Sequence, residues 1–193
     1  PFFSAVPYIH PTRTPRTLEL LGVAMQLAVS IEMRVKHELA CWRPVEYSPL
    51  VQPMITTPGH GSLPSGHATQ AYMLAHVLQT LLGLEGQPHH ATVRQLQRQA
   101  ARIATNRVIA GVHFPVDSIA GRLLGVALGE FFVARCCPAP QVTWRPRGFD
   151  GSKAFREFLP NEELDGSTAP AYYRRGPPVP AAWTKPEVLT EAW

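Results

Sequence analysis

The sequence predicts an all-α fold, a helical bundle with an irregular proline-rich N-terminal arm and a C-terminal tail. Three observations carry that prediction. Apolar residues recur at steps of three and four in four separate windows, the spacing of one helical face. Prolines and glycines gather between or outside those windows, where helices must start and stop. The composition, 45% hydrophobic and 17% charged over 193 residues, is that of a globular chain long enough for one domain with a sizeable core.

Residues 1–16 contain four prolines and two phenylalanines and read as an extended arm packed on something. Thr17 can cap a first helix that runs to about Trp42, with Leu20, Ala24, Leu27, Ile31, Val35 and Leu39 on one face. Pro44 turns Arg43 away from helical backbone and marks its end. Residues 44–64 form a proline- and threonine-rich loop, long enough to suggest a function. A second helix spans about Ser65 to Leu84, with Ala68, Ala71, Tyr72, Ala75, Leu78 and Leu82 on its apolar side. A third spans about Ala91 to Ala110. Its stripe is Val93, Leu96, Ala100, Ile103 and then Arg107, and an inward arginine calls for an anionic partner. Gly111 closes that helix, and Pro115 suits the first turn of a fourth, which carries Val116, Ile119, Ala120, Leu123, Ala127 and Phe131 to about Arg135. The chain therefore divides into an arm (1–16), a four-helix bundle (17–137) and a wrapping tail with short helices (138–193), all one domain of a larger or two-chain protein.

The net charge of +4 and pI near 9.2 suit an anionic ligand. No Lys/Arg-rich block is present, which excludes nucleic acid as the expected partner. The three cysteines, Cys41, Cys136 and Cys137, read as free buried thiols rather than a disulfide framework. The four tryptophans read as packing residues. The chain starts at Pro1 without a charged segment before an apolar stretch, as expected of a processed chain, a truncated one, or one of two polypeptides. No window reaches the length of a membrane span, since Ile119 to Ala134 is broken by Arg122 and Glu130. The expectation is a soluble protein, with periplasm or secretion as candidate settings.

Three groups of residues carry chemistry. Lys36 and Arg43 lie seven apart on the first predicted helix, two turns and about 10 Å along one face. Two cations there repel unless an anion lies between them, although both could reach solvent instead. Pro64-Ser65-Gly66-His67 feeds a helix N-terminus, where backbone N–H groups make a ready anion site. Ser65 can donate its hydroxyl or cap the helix, Gly66 permits close approach of a ligand, and His67 sits in the first turn. Arg107, His113 and Asp117 flank the turn between the last two helices. Asp117 can hold one ring nitrogen of His113 and free the other to attack or ligate, or it can simply cap its helix.

In order, KHELACWRP (36–44), PSGH (64–67) and RVIAGVHFPVD (107–117) resemble the signature of the superfamily joining vanadium-dependent haloperoxidases, type-2 phosphatidic acid phosphatases and bacterial class A acid phosphatases. Asn106 stands where that family often has serine. The resemblance implies the family's helical bundle and a pocket for a tetrahedral or trigonal-bipyramidal oxyanion. Lys36, Arg43 and Arg107 would neutralise its oxygens, joined by Ser65 and the Gly66 N–H. His113 would be the apical partner, a vanadium ligand in a haloperoxidase or the covalent nucleophile in a phosphatase. His67 would handle protons in either case.

Phosphate and vanadate share shape and similar charge, so neighbouring residues must separate the two activities. His60 lies seven before His67, a position that looks like the halide-side residue of haloperoxidases, and PSGHATQ resembles the algal bromoperoxidase segment. An ordinary loop histidine is the plain alternative. The 40 positions from His67 to Arg107 resemble phosphatases and small bacterial members more. Membrane lipid phosphatases are disfavoured by the missing spans, and a bundle that only binds phosphate would not need the proton-handling histidines. The expectation is a vanadate-dependent haloperoxidase that uses hydrogen peroxide to oxidise halide, bromide by preference, and acts on small organic substrates. A soluble acid phosphatase using His113 is the alternative. Haloperoxidases of this type usually have two bundles. A second chain or N-terminal half is therefore expected to complete the substrate channel, with a homo-oligomer as a further option. A lone active species of 21.3 kDa on size exclusion would remove that expectation.

Overall fold

The computed structural model describes residues 2–136, 143–160, 162, 164 and 169–180. Five helices dominate: α1 (Pro15–Leu39), α2 (Pro44–Tyr47), α3 (Gly66–Leu81), α4 (Ala91–Ile109) and α5 (Pro115–Cys136). Four are long and make the bundle, and α2 is a single turn in the loop after α1. Among the described residues no helix is long and apolar enough to cross a membrane.

α3 is the centre, packed against α5, α4 and α1. Its contact with α5 is the closest, and the reason lies in α5. Gly121, Gly125 and Gly129 recur every fourth residue and all face α3. A Cβ on Gly121 would fall 2.6 Å from Ser65 O and 2.8 Å from the Ala68 Cβ, and one on Gly125 would strike Thr69 O. The glycine stripe lets the two backbones approach and fixes the start of α3 beside the start of α5. Ser65 N–H accordingly donates to Asp117 O at 2.9 Å.

The core is split by α3. One side joins Ala68, Ala71, Tyr72, Ala75 and Leu78 to Leu96, Ala100 and Ala104 of α4. The other joins Met73 and Val77 to Ala24 and Ala28 of α1 and to Phe132 and Val133 of α5. The buried line of α1 is Ala24, Ala28, Glu32 and Lys36. This differs from the stripe expected from hydrophobicity. Small residues let α1 lie close to α3, so the larger Leu20, Leu27 and Val35 remain only partly buried and Leu39 is exposed.

Other boundaries also move. α1 starts at Pro15, with Thr14 rather than Thr17 at its N-cap position, because proline suits the first helical position. The arm is not simply extended. Phe2–Ala5 forms a 3-10 turn whose Phe3 inserts into the α3–α4 core of its own chain. The described tail carries strands more than helices. β1 (Thr143–Trp144) pairs antiparallel with β4 (Val179–Pro180), β2 (Arg147–Phe149) with β3 (Tyr173–Arg175), and Gly151–Lys153 is a 3-10 turn. The tail is held to α5 by Arg147, which donates both Nη groups to Glu130 at 2.7 and 2.6 Å, and by Ile119 and Leu123 packing on Ala154, Tyr172 and Tyr173. Trp144 packs on Phe131, whereas Trp42 is 60% exposed, so it is not a core residue. Cys41 and Cys136 are not in disulfides but are only partly buried, and Cys137, Trp183 and Trp193 lie outside the described residues.

Candidate oxyanion site

Three segments meet at the site: the end of α1, the loop before α3, and the turn between α4 and α5. Lys36 and Arg43 do not share a helix. α1 stops at Leu39, and Ala40 takes a left-handed conformation (φ 45°). Arg43 then lies in extended backbone before α2 (φ −83°, ψ 159°), as the following proline requires. The two cations therefore reach the site from different directions.

The loop before α3 runs back along this segment. Ser62 N–H donates to Cys41 O at 2.8 Å, and a Cβ on Gly61 would lie 3.0 Å from Lys36 O, so glycine favours this close approach. Lys36, 1% exposed, donates from Nζ to Gly61 O (2.9 Å) and Ser62 O (3.0 Å). Burial and then the charge of Arg43 push its pKa down to about 8.

Arg43, 2% exposed, has a partner for each of its N–H groups. Nε donates to His60 O (3.1 Å). Nη1 donates to Val112 O (2.7 Å) and His113 Nε2 (3.2 Å). Nη2 donates to His60 Nδ1 (3.2 Å) and Gly61 O (3.3 Å). Arginine only donates, so both ring nitrogens act as acceptors here. That assigns the His113 proton to Nδ1, which donates to Asp117 Oδ2 at 3.0 Å. The same carboxylate oxygen accepts from Ser62 Oγ at 2.5 Å and from Phe114 N at 2.9 Å. Burial lowers the pKa of His113, and the bond and charge of Asp117 oppose that only in part. The imidazole is neutral near neutral pH, with an Nε2 lone pair turned toward Arg43.

The α3 side contrasts with this. Ser65 holds the N-cap position, yet its hydroxyl caps nothing, and Ser65 Oγ is buried without a hydrogen-bond partner among the described residues. Arg107 comes in from the end of α4, and its Nε is likewise buried without a partner. His67, in the first turn of α3, is exposed and has no hydrogen-bond partner among the described residues. Partial burial of its ring, then the charges of Arg107, His113, Lys36 and Arg43, lower its pKa, so it faces the cationic cluster. Asn106 is exposed and brings no side-chain bond to the site.

His60 stands on Arg43 at the rim of a cavity of about 290 Å³, lined also by Cys41, Trp42, Glu46 and Thr57. Two site residues escaped the sequence reading. Ser62 steadies Asp117, and Glu32 is buried one turn before Lys36, packed against Gly66.

Among the described residues no cluster of His, Cys, Asp and Glu could hold a bare metal ion. The donor set suits an oxyanion instead: three cations, a neutral imidazole, and two buried groups, Ser65 Oγ and Arg107 Nε, whose bonding capacity is unused. A family profile described as the PAP2 superfamily matches residues 18–136, which include every residue of this site. A search of curated proteins returns no match.

Proposed function

The chain belongs to the PAP2 superfamily, and on that footing we propose that it is a vanadate-dependent haloperoxidase converting halide, hydrogen peroxide and a proton into hypohalous acid and water. The superfamily includes both vanadium haloperoxidases and type-2 phosphatidic acid phosphatases, so the choice between them needs a local observation. The observation that supports the oxyanion is the pair of buried donors without a partner among the described residues, Ser65 Oγ and Arg107 Nε, together with a neutral His113 whose Nδ1 is tied to Asp117. The observation that favours halide chemistry is His60, which accepts from Arg43 at 3.2 Å and borders the adjoining cavity.

In this reading His113 Nε2 holds vanadate, and Lys36, Arg43 and Arg107 offset its negative charge. Ser65 Oγ and the Gly66 N–H donate to its oxygens. Bound vanadate supplies Lewis-acid activation of hydrogen peroxide toward halide. His67, neutral and solvent-connected, takes up and returns protons at its ring nitrogens. In this reading halide would approach beside His60 and Arg43. The phosphatase reading uses the same residues, with His113 Nε2 forming a bond to phosphorus and His67 protonating the leaving oxygen. It is favoured by the short separation of His67 from Arg107.

Bromination of a diketone dye after vanadate loading, run beside p-nitrophenyl phosphate hydrolysis without vanadate, separates the two. The expected result is peroxide-dependent bromination that His113→Ala abolishes together with vanadate retention. Hydrolysis with no halogenation would reverse the assignment.

A further inference from the structure

The pocket carries a negative charge that no catalytic role accounts for. Glu32 lies on α1 four residues before Lys36, on the same buried line, and is 4% exposed. Its carboxylate is pressed against the first turn of α3. A Cβ on Gly66 would lie 2.5 Å from Glu32 Oε1 and 3.2 Å from Oε2. Oε1 accepts from Gln70 Nε2 at 2.9 Å, and Oε2 is buried with no hydrogen-bond partner among the described residues. A buried carboxylate with one satisfied oxygen is costly, and leucine or methionine would fill the same space without that cost. The charged groups around it are Lys36 on its own helix and, from α3, only the dipoles of Gln70 and the first-turn amides. Burial raises its carboxyl to about 6, so it is ionised just above neutral pH.

Glu32 therefore lies directly behind Gly66, the residue expected to meet the oxyanion. Each negative charge on a ligand is repelled by it, and the repulsion scales with ligand charge. Just above neutral pH inorganic phosphate is mostly a dianion, whereas orthovanadate is mostly a monoanion. From this arrangement, and resting on the oxyanion reading of the pocket, we infer that Glu32 is a specificity-determining residue that shifts the selectivity of the site toward singly charged and away from doubly charged tetrahedral oxyanions. It needs no contact with the ligand, and acts through its charge behind the Gly66 turn.

Calorimetric titration of the full chain with inorganic phosphate and with orthovanadate, just above neutral pH, tests this. Glu32→Gln keeps the shape and the Gln70 bond but removes the charge. Both ions should then bind more tightly, about threefold for vanadate and about the square of that, tenfold, for phosphate. Glu32→Asp should keep the wild-type ratio. Gln70→Lys, which pairs with the carboxylate instead of deleting it, should move the ratio as Glu32→Gln does and covers the case in which that variant does not fold. The ratio of two affinities on one preparation does not depend on the folded fraction, and structural damage would weaken binding rather than tighten it. An unchanged ratio, or weaker binding of both ions in Glu32→Gln, overturns the inference. Failure of the wild-type chain to bind either ion removes the oxyanion pocket itself, and the inference with it.

Discussion

The two sides of the pocket differ in how their polar atoms are used. On the α1 and loop side Lys36, Arg43, Ser62, His113 and Asp117 bond to one another or to the carbonyls of His60, Gly61, Ser62 and Val112. On the α3 and α4 side Ser65 Oγ and Arg107 Nε are buried with no partner among the described residues, and His67 has none either. A buried donor left unpaired costs about 1–3 kcal/mol. The first side is thus stabilised by folding itself and sets the geometry of His113. The second is held in place by helix packing at some expense of stability, and under the proposed function a ligand would complement it.

The largest effects should come from the two arginines, and in opposite assays. Arg43→Ala strands several buried carbonyls and the His113 ring, so it should destabilise the fold by about 3–5 kcal/mol in denaturant unfolding. Arg107→Met removes a charge that has no partner among the described residues. It should change stability by less than about 1 kcal/mol while weakening vanadate or phosphate binding by about a hundredfold or more. Equal unfolding by both variants would erase the distinction between the two sides.

The serines repeat the comparison on a smaller scale. Ser62→Ala takes one of three donors from Asp117 Oδ2 and should cost about 1.5–3 kcal/mol, the range for a bond to a charged group. Ser65→Ala should leave stability unchanged or slightly improved, yet weaken oxyanion binding by about tenfold. Chemical denaturation and calorimetric titration of the pair check both. A binding defect in Ser62→Ala alone would mean that the donor toward the ligand had been assigned to the wrong serine.

The ligand-facing side was the more legible in the sequence. Ser65, Gly66, His67 and Arg107 stand in short motifs whose residue types, taken together, suit an anion, and the apolar periods placed them at helix ends. The supporting side was less so, because its partners are backbone carbonyls and its register depends on the turn at Ala40. No periodicity reveals that a helix stops at Leu39, and non-glycine residues take a left-handed turn too rarely to be expected there. Nothing in the local pattern sets Ser62 apart from other loop residues, and no motif contains Glu32. Two signals were readable and passed over. The spacing of Gly121, Gly125 and Gly129 marks a close helix contact, and Glu32 falls on the line of Ala24, Ala28 and Lys36. The tail offered less, since its prolines and aromatics do not specify the pairing of strands as short as two residues.

The most gradual effect, spread over a pH window, and the one that tests both sides together, is the pH response of Lys36. Its folded pKa of about 8 lies below the ordinary lysine value of about 10.4. Between those two values the unfolded chain holds a proton that the folded chain has released. Stability should therefore rise with pH across that window, by at most about 1.4 kcal/mol per pH unit. Oxyanion binding needs the protonated amine, and should fall as pH passes about 8. Folding and binding thus move in opposite directions over the same window. Lys36→Arg keeps its charge throughout, so its stability should lose the rise and its affinity should persist to higher pH than in the wild-type chain. Comparing the two chains with the same ligand cancels the ionisation of the ligand itself. If stability showed no rise over that window and affinity persisted to about pH 10, Lys36 would keep its proton inside the fold as Arg43 does, and would belong wholly to the side that folding stabilises.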